Sequence, residues 1–196
     1  MTTEAPAYDR VSQTAHWVVA ALTVIVVALG WASAGAPRNT PTRDLLLLLH
    51  RSIGLTILAA MVFRSWWRWR HPPLPLPPAL ARFERGLARC THLALYLILI
   101  VMPVAGYLNA AAEGREVALF GVLAIPPVVA EHDRFSQVAI AVHLVGQYPL
   151  YFFVMLHVAG ALFPRRRQAR RDPGANAAAA PLGRTAEHAL AGLCAD

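Results

Sequence analysis

The stretch Phe135–Pro164, FSQVAIAVHLVGQYPLYFFVMLHVAGALFP, runs for 30 residues without an Asp, Glu, Lys or Arg. The hydrocarbon core of a bilayer needs about 20 consecutive apolar residues in a helix, so this stretch is long enough to cross. Two histidines interrupt it, His143 and His157, 14 positions apart. On a helix that separation is roughly 21 Å of rise, and fourteen steps of about 100° return close to the same face. One spanning helix therefore offers two imidazoles on one side, one toward each end. Ionisable groups at membrane depth are costly, and where they occur they mark function. Pro149 falls midway between the two and loosens the phase.

Three more runs of the same kind precede it. Val11–Pro37 carries no formal charge over 27 residues, Asp44–Arg64 has Arg51 as its only internal charge, and Cys90–Ala112 has 23 uncharged residues. Each is expected to be a spanning helix. Asp9 or Ser12 is placed to cap the first. That run is long enough to span and lacks a convincing cleavage site, so no cleavable leader is expected. Between the spans, Ala34–Arg43 reads as a short loop. Ser65–Arg70 mixes tryptophan with arginine, the composition of a headgroup boundary. Pro72, Pro73, Pro75, Pro77 and Pro78 favour an extended linker. Pro103 is expected to kink the third span. Glu113–Arg134 is expected to be a loop on the membrane surface, because its apolar part is too short to cross.

The fold expected is all-α, a membrane four-helix bundle forming one domain over residues 8–165. Residues 166–196, basic and then Ala/Gly-rich, are expected to be a mobile tail, with a short helix near Thr185–Leu193.

Composition agrees. Of the 196 residues 57% are hydrophobic, against about 45–50% apolar in a soluble domain. The formal charge is +7, and every one of the 18 basic residues is arginine. Those arginines flank apolar runs, where they set topology, so the charge does not argue for nucleic acid. Thirteen fall on the side holding both ends of the chain and the second-to-third connection; four, Arg38, Arg43, Arg115 and Arg134, fall on the other. Both termini are therefore expected in the cytoplasm. Cys90 and Cys194 have no CxxC or CxxCH context, so no disulfide framework, zinc ribbon or covalent haem attachment is expected.

Depth sorts the histidines. His16 is six residues inside Arg10 and His157 eight before Arg165; His50 is seven past Arg43 and His143 nine past Arg134. Two pairs result, His16 with His157 on the cytoplasmic side and His50 with His143 on the exterior side. Two imidazoles per level suit haem, whose porphyrin leaves two axial positions on iron. They suit zinc poorly, since zinc takes three or four protein ligands. Gly54, Gly146 and Gly160 follow a proposed ligand by three or four residues, on the same helical face, and would give a flat macrocycle clearance. Close helix packing is the alternative use of such glycines. Arg51 is a candidate to neutralise a propionate of the exterior haem, or else snorkels to headgroups. Arg64 is a candidate for the propionates of the cytoplasmic haem, or else is a boundary arginine. His92 is read as a donor to a ligand, a propionate contact, a quinone-site group or an interfacial residue. Arg115, Arg134 and His132 are candidates for drawing an anion to the exterior haem.

These residues resemble the bacterial cytochrome b561 family of four-helix di-haem membrane cytochromes. The likeness rests on Ala15-His16-Trp17, on His50 with Gly54 and Arg64, and on Thr91-His92-Leu93 through Met102-Pro103-Val104-Ala105-Gly106. It continues in Phe120-Gly121 with Pro126 and in His143 and His157. It covers roughly Tyr8 to Arg165, with Pro149 and Arg51 departing from the pattern. The resemblance implies two haem b groups, His16 with His157 and His50 with His143 as axial ligands, and a bacterial inner-membrane location. Some family members look like superoxide oxidases that pass electrons to ubiquinone; others look like carriers between quinones and partner redox proteins. The expectation is a di-haem electron-transfer protein taking electrons from an exterior donor such as superoxide to a quinone. Its partners would be membrane lipid, quinone and a periplasmic or membrane redox protein. The rival readings are a cytochrome subunit anchoring a dehydrogenase or hydrogenase, and a haem-free transporter or metal-binding bundle.

Overall fold

A computed structural model describes residues 9–72 and 82–171. There are four helices, α1 (Arg10–Gly35), α2 (Pro41–Arg70), α3 (Arg82–Ala112) and α4 (Asp133–Arg171), with one short hairpin of β1 (Val117–Leu119) and β2 (Leu123–Ile125) in the connection between α3 and α4. All four helices are long and apolar enough to cross a membrane. The all-α membrane bundle is thus the observed architecture. Hydrocarbon offers the backbone no hydrogen bonds, so each apolar run satisfies its amides internally as helix.

The helix ends are built from local chemistry. Asp9 caps α1, its carboxylate accepting the Val11 N–H at 3.1 Å. Thr40 caps α2, its hydroxyl accepting from Arg43 N–H at 3.3 Å, with Pro41 in the first turn. Asp44 in the first turn and Arg68 and Arg70 in the last complement the helix dipole. The tryptophan–arginine segment Ser65–Arg70 continues α2. There Arg70 lies over the rings of Trp66 and Trp69 at 5.6 and 5.5 Å. Arg82–Arg89, outside the span expected from Cys90, forms the first turns of α3. Pro103 sits inside that helix.

α1 packs along α2, α2 against α3, and α3 along α4. The core between the first three is thin: Val19, Ile57 and Met61, with Tyr96 and Leu99 partly buried against them. Large apolar side chains point outward instead, Val24 at 71% exposure and Met155 at 70%, as suits a lipid solvent. At the end where α3 finishes and α4 begins, buried Asn109 donates to the Ser136 hydroxyl at 2.8 Å and to Glu113 at 3.0 Å.

The connection expected as a surface loop contains an antiparallel hairpin, with Val117 opposite Ile125 and Leu119 opposite Leu123. Phe120 and Gly121 make its tight turn with φ of 50° and 73°. Positive φ at both central residues matches the twist of a two-stranded ribbon. Fully buried Ser52 on α2 accepts the Phe120 N–H at 2.7 Å and ties the turn to the helix. The backbone of α4 continues as helix through the basic run to Arg171. The proline-rich linker from 73 onward and the tail from 172, with its expected short helix, lie outside the described residues.

Candidate functional site

The histidines meet in two places. The rings of His16 on α1 and His157 on α4 have centroids 5.9 Å apart. Those of His50 on α2 and His143 on α4 are 5.8 Å apart. A metal–imidazole bond of about 2 Å on each side, plus the offset from Nε2 to the ring centre, puts two axial imidazoles roughly 6 Å apart. Both pairs have that separation. Among the described residues no three His, Cys, Asp or Glu side chains converge on one point for a bare ion.

The His50–His143 pair is held the same way on both sides. His50 donates its Nδ1–H to the Val26 carbonyl at 2.9 Å, and His143 donates to the Met102 carbonyl at 2.8 Å. A neutral imidazole with its proton on Nδ1 has its lone pair on Nε2, the form that binds a metal. One turn beyond each carbonyl is a glycine, and the histidine ring lies on it. A Cβ at Gly30 would stand 3.1 Å from His50 Cε1, and one at Gly106 would stand 3.0 Å from His143 Nδ1. Gly30 and Gly106 are close-approach positions that sequence reasoning missed. Gly106 was visible as part of the Met102–Gly106 motif, but its use depends on a histidine 37 residues away.

The glycines expected to clear a macrocycle divide. Gly54 and Gly160 have nothing within 4 Å of where a Cβ would be, whereas Gly146 packs on Met102, whose Cγ would be 3.0 Å from its Cβ. Gly146 is a close-packing position. α1 and α4 do not pack closely along their length. They meet through the rings of His16 and His157 and through the Trp31 Nε1–H donated to the Tyr151 hydroxyl at 2.7 Å. The residues present thus fit haem: facing imidazoles at the right separation, lone pairs fixed by carbonyls at His50 and His143, and bare helix faces beside His50 and His157.

Arg64 is buried near the His16–His157 pair. Its Nε donates to the Tyr96 hydroxyl at 2.8 Å and its Nη1 to the Ser12 carbonyl at 3.1 Å. Both partners are neutral, and no carboxylate pairs with it among the described residues. Arg51, half-buried beside His50, lies within electrostatic reach of Glu113 and Arg115. Two of the three residues considered for drawing an exterior anion are otherwise engaged. Arg115 is ion-paired with Glu113, and His132 Nδ1 accepts the Phe135 N–H at the start of α4. His92, for which the sequence leaves four roles open, lies edge-on to His157 with ring centroids 5.0 Å apart.

The family model for prokaryotic cytochrome b561 matches residues 7–171. The chain belongs to the prokaryotic cytochrome b561 family. This cytochrome is 30% identical over 156 residues to Cytochrome b561 homolog 2 of Escherichia coli (strain K12), covering 76% of this chain and 80% of that protein. It is 29% identical over 151 residues to the Probable superoxide oxidase CybB of Yersinia pestis, covering 75% of this chain and 82% of that one. It is a multi-pass protein of the bacterial inner membrane, a b-type cytochrome in electron transfer. The haem-free reading is set aside, because membership of this family implies haem b.

Proposed function

We propose that this cytochrome holds two haem b groups, one between His16 and His157 and one between His50 and His143. Its reaction is the oxidation of an exterior one-electron donor, superoxide, coupled to reduction of a quinone. Two superoxide anions give up one electron each and leave as dioxygen; the quinone takes two electrons and two protons and leaves as hydroquinone. The observation that carries the reading is the two facing histidine pairs, 5.9 and 5.8 Å between centroids. The arginine asymmetry supports both termini in the cytoplasm, which makes the His50–His143 end the exterior one. The similarity to a protein named as a probable superoxide oxidase supports the donor.

Bound haem b supplies a one-electron couple. The chain supplies the rest. Val26 and Met102 fix the proton of the exterior imidazoles on Nδ1, so Nε2 is presented without tautomer exchange. Neutral imidazoles bring no fixed charge into the hydrocarbon layer. Arg64 offers a buried guanidinium to a carboxylate at the cytoplasmic level. Arg51 offers one at the exterior level, and with Arg115 paired to Glu113 it is the arginine better placed to act there on an anion. Outward apolar faces keep water from both levels.

The test is a reduced-minus-oxidised spectrum with haem counted per chain. His143→Ala should remove one spectral component and His157→Ala the other; loss of neither would overturn the ligand assignment. Mixing the purified protein with superoxide and quinone then tests the reaction. Stable co-purification with a soluble redox subunit, and no turnover alone, would favour the anchoring-subunit reading instead.

A further inference from the structure

His92 is a second imidazole at the His157 level with a different use. Its Nδ1 donates to the Ala88 carbonyl, 2.8 Å away in its own helix. The neutral ring therefore carries its lone pair on Nε2. That Nε2 is buried and, among the described residues, has no hydrogen-bond partner. A buried acceptor left bare costs free energy comparable to a lost hydrogen bond, so its partner is to be sought among ligands.

Three kinds of partner are available at this level. Iron is the first, and spacing argues against it. The His92–His157 centroids are 5.0 Å apart, nearly 1 Å closer than those of His16 and His157 at 5.9 Å. A carboxylate is the second. An ionised propionate has only acceptors, and so does Nε2 in this tautomer, so the two repel. Arg64 on α2, bonded to Tyr96 one turn along α3 from His92, is the better partner for a carboxylate. The third is a hydroxyl, which has the proton that Nε2 lacks.

We infer that His92 Nε2 accepts a hydrogen bond from a hydroxyl of a hydroquinone headgroup, which makes the α3 face at His92 the quinone site. This rests on the quinone reaction proposed above. The chemistry gives the site a preference. A hydroquinone donates to the lone pair, whereas a quinone carbonyl faces it with a second lone pair. His92 therefore binds the reduced product more tightly than the oxidised substrate and raises the potential of the bound quinone couple.

The test uses the full haem-loaded chain in nanodiscs, with a short-chain ubiquinone analogue and its hydroquinone as probes. Hydroquinone binding is measured by dialysis on the reduced, oxygen-free protein, and quinone binding on the oxidised protein. His92→Leu should weaken hydroquinone binding roughly tenfold or more, leave quinone binding within about threefold, and keep both haem components. His92→Gln, whose amide oxygen also accepts, should restore much of the hydroquinone affinity. Equal hydroquinone affinity in wild type and His92→Leu would overturn the inference and leave the quinone reaction standing. Loss of a haem component in His92→Leu would assign the nitrogen to the haem pocket and also overturn it. Wild-type protein that binds neither probe would overturn both this inference and the quinone reaction.

Discussion

The Nδ1–H of His143 on α4 points to the carbonyl of Met102 on α3, 2.8 Å away, and the ring lies against Gly106 one turn on. His50 repeats the arrangement on α1 with Val26 and Gly30. Two helices that hold no proposed exterior ligand thus aim both of the rings that are proposed as exterior ligands. The matching prediction is that Gly30→Val and Gly106→Val perturb the same spectral component. A Cβ 3.0–3.1 Å from either ring, and the methyls beyond it, would displace the imidazole. Haem per chain should fall toward one in both variants while the other component keeps its spectrum. Two variants that disturb different components would break the proposed pairing of His50 with His143.

Gly54 and Gly160 test the macrocycle rather than the ligands. No protein atom lies within 4 Å of a Cβ at either position. Alanine in place of a mid-helix glycine favours the helix by up to about 1 kcal/mol. Gly54→Leu and Gly160→Leu should therefore leave the helix content of the haem-free protein unchanged, measured by circular dichroism. Haem content should drop, by the exterior component for Gly54 and the cytoplasmic one for Gly160. Full haem loading in both variants would remove these faces from the haem pockets.

Much of this arrangement can be read from the chain because a membrane leaves few options. Uncharged runs of spanning length must be helices, and a histidine between known charge boundaries has a known depth. That logic placed His16, His50, His143 and His157. His92 it leaves open: the helix starts at Arg82, so His92 lies in its third turn, against His157, a neighbour that counting along one run does not reveal. The seats at Gly30 and Gly106 stayed hidden because they depend on which helices pack together, which spacing along one helix does not carry. The hairpin was missed for a local reason. Its connection is Phe120-Gly121-Val122, with Phe120 at a positive φ where Asn, Asp or Gly usually stands.

Arg64 sets a prediction on potential. A buried guanidinium favours the reduced state of any nearby redox group, because adding an electron lowers the charge beside it. One unit charge within about 10 Å at an effective dielectric near 20 amounts to roughly 1–2 kcal/mol, or on the order of 50 mV for one electron. Arg64→Gln should lower the midpoint potential of the cytoplasmic-level component by that order, read by spectroelectrochemical titration. Arg64→Lys should recover most of it if the charge is what matters. A shift confined to the exterior component would place Arg64 at the wrong level.

Asp9 ties the start of α1 to the far end of α2, since its carboxylate caps α1 and accepts the Trp67 indole N–H. The Trp67 bond, helped by the Val11 and Ser12 donors, holds its carboxyl below the ordinary value despite some opposing desolvation. A carboxyl lowered on folding contributes stability that is fully present above its ordinary value of about 3.9. That contribution is lost as pH falls through the folded value. Asp9→Asn should reduce the thermal midpoint at pH 7 and flatten its fall on acidification below about pH 4. A midpoint equal to wild type at pH 7 would show that the tie contributes nothing.

Ser52 carries the last prediction. Its hydroxyl donates to the Leu48 carbonyl at 2.7 Å and accepts the Phe120 N–H at 2.7 Å. Phe120 needs that anchor. A bulky side chain at φ of 50° is strained, and the backbone keeps this form only where its surroundings enforce it. Ser52→Ala removes the acceptor and leaves a backbone donor unpaired against α2, a cost of about 1–3 kcal/mol. The spanning helices do not depend on that bond, so the loss should be local. Amides from Val117 to Ile125 should exchange faster in Ser52→Ala by tenfold or more, while those of α1 and the centre of α4 keep their protection. Unchanged exchange across the hairpin would mean that strand pairing alone holds Phe120.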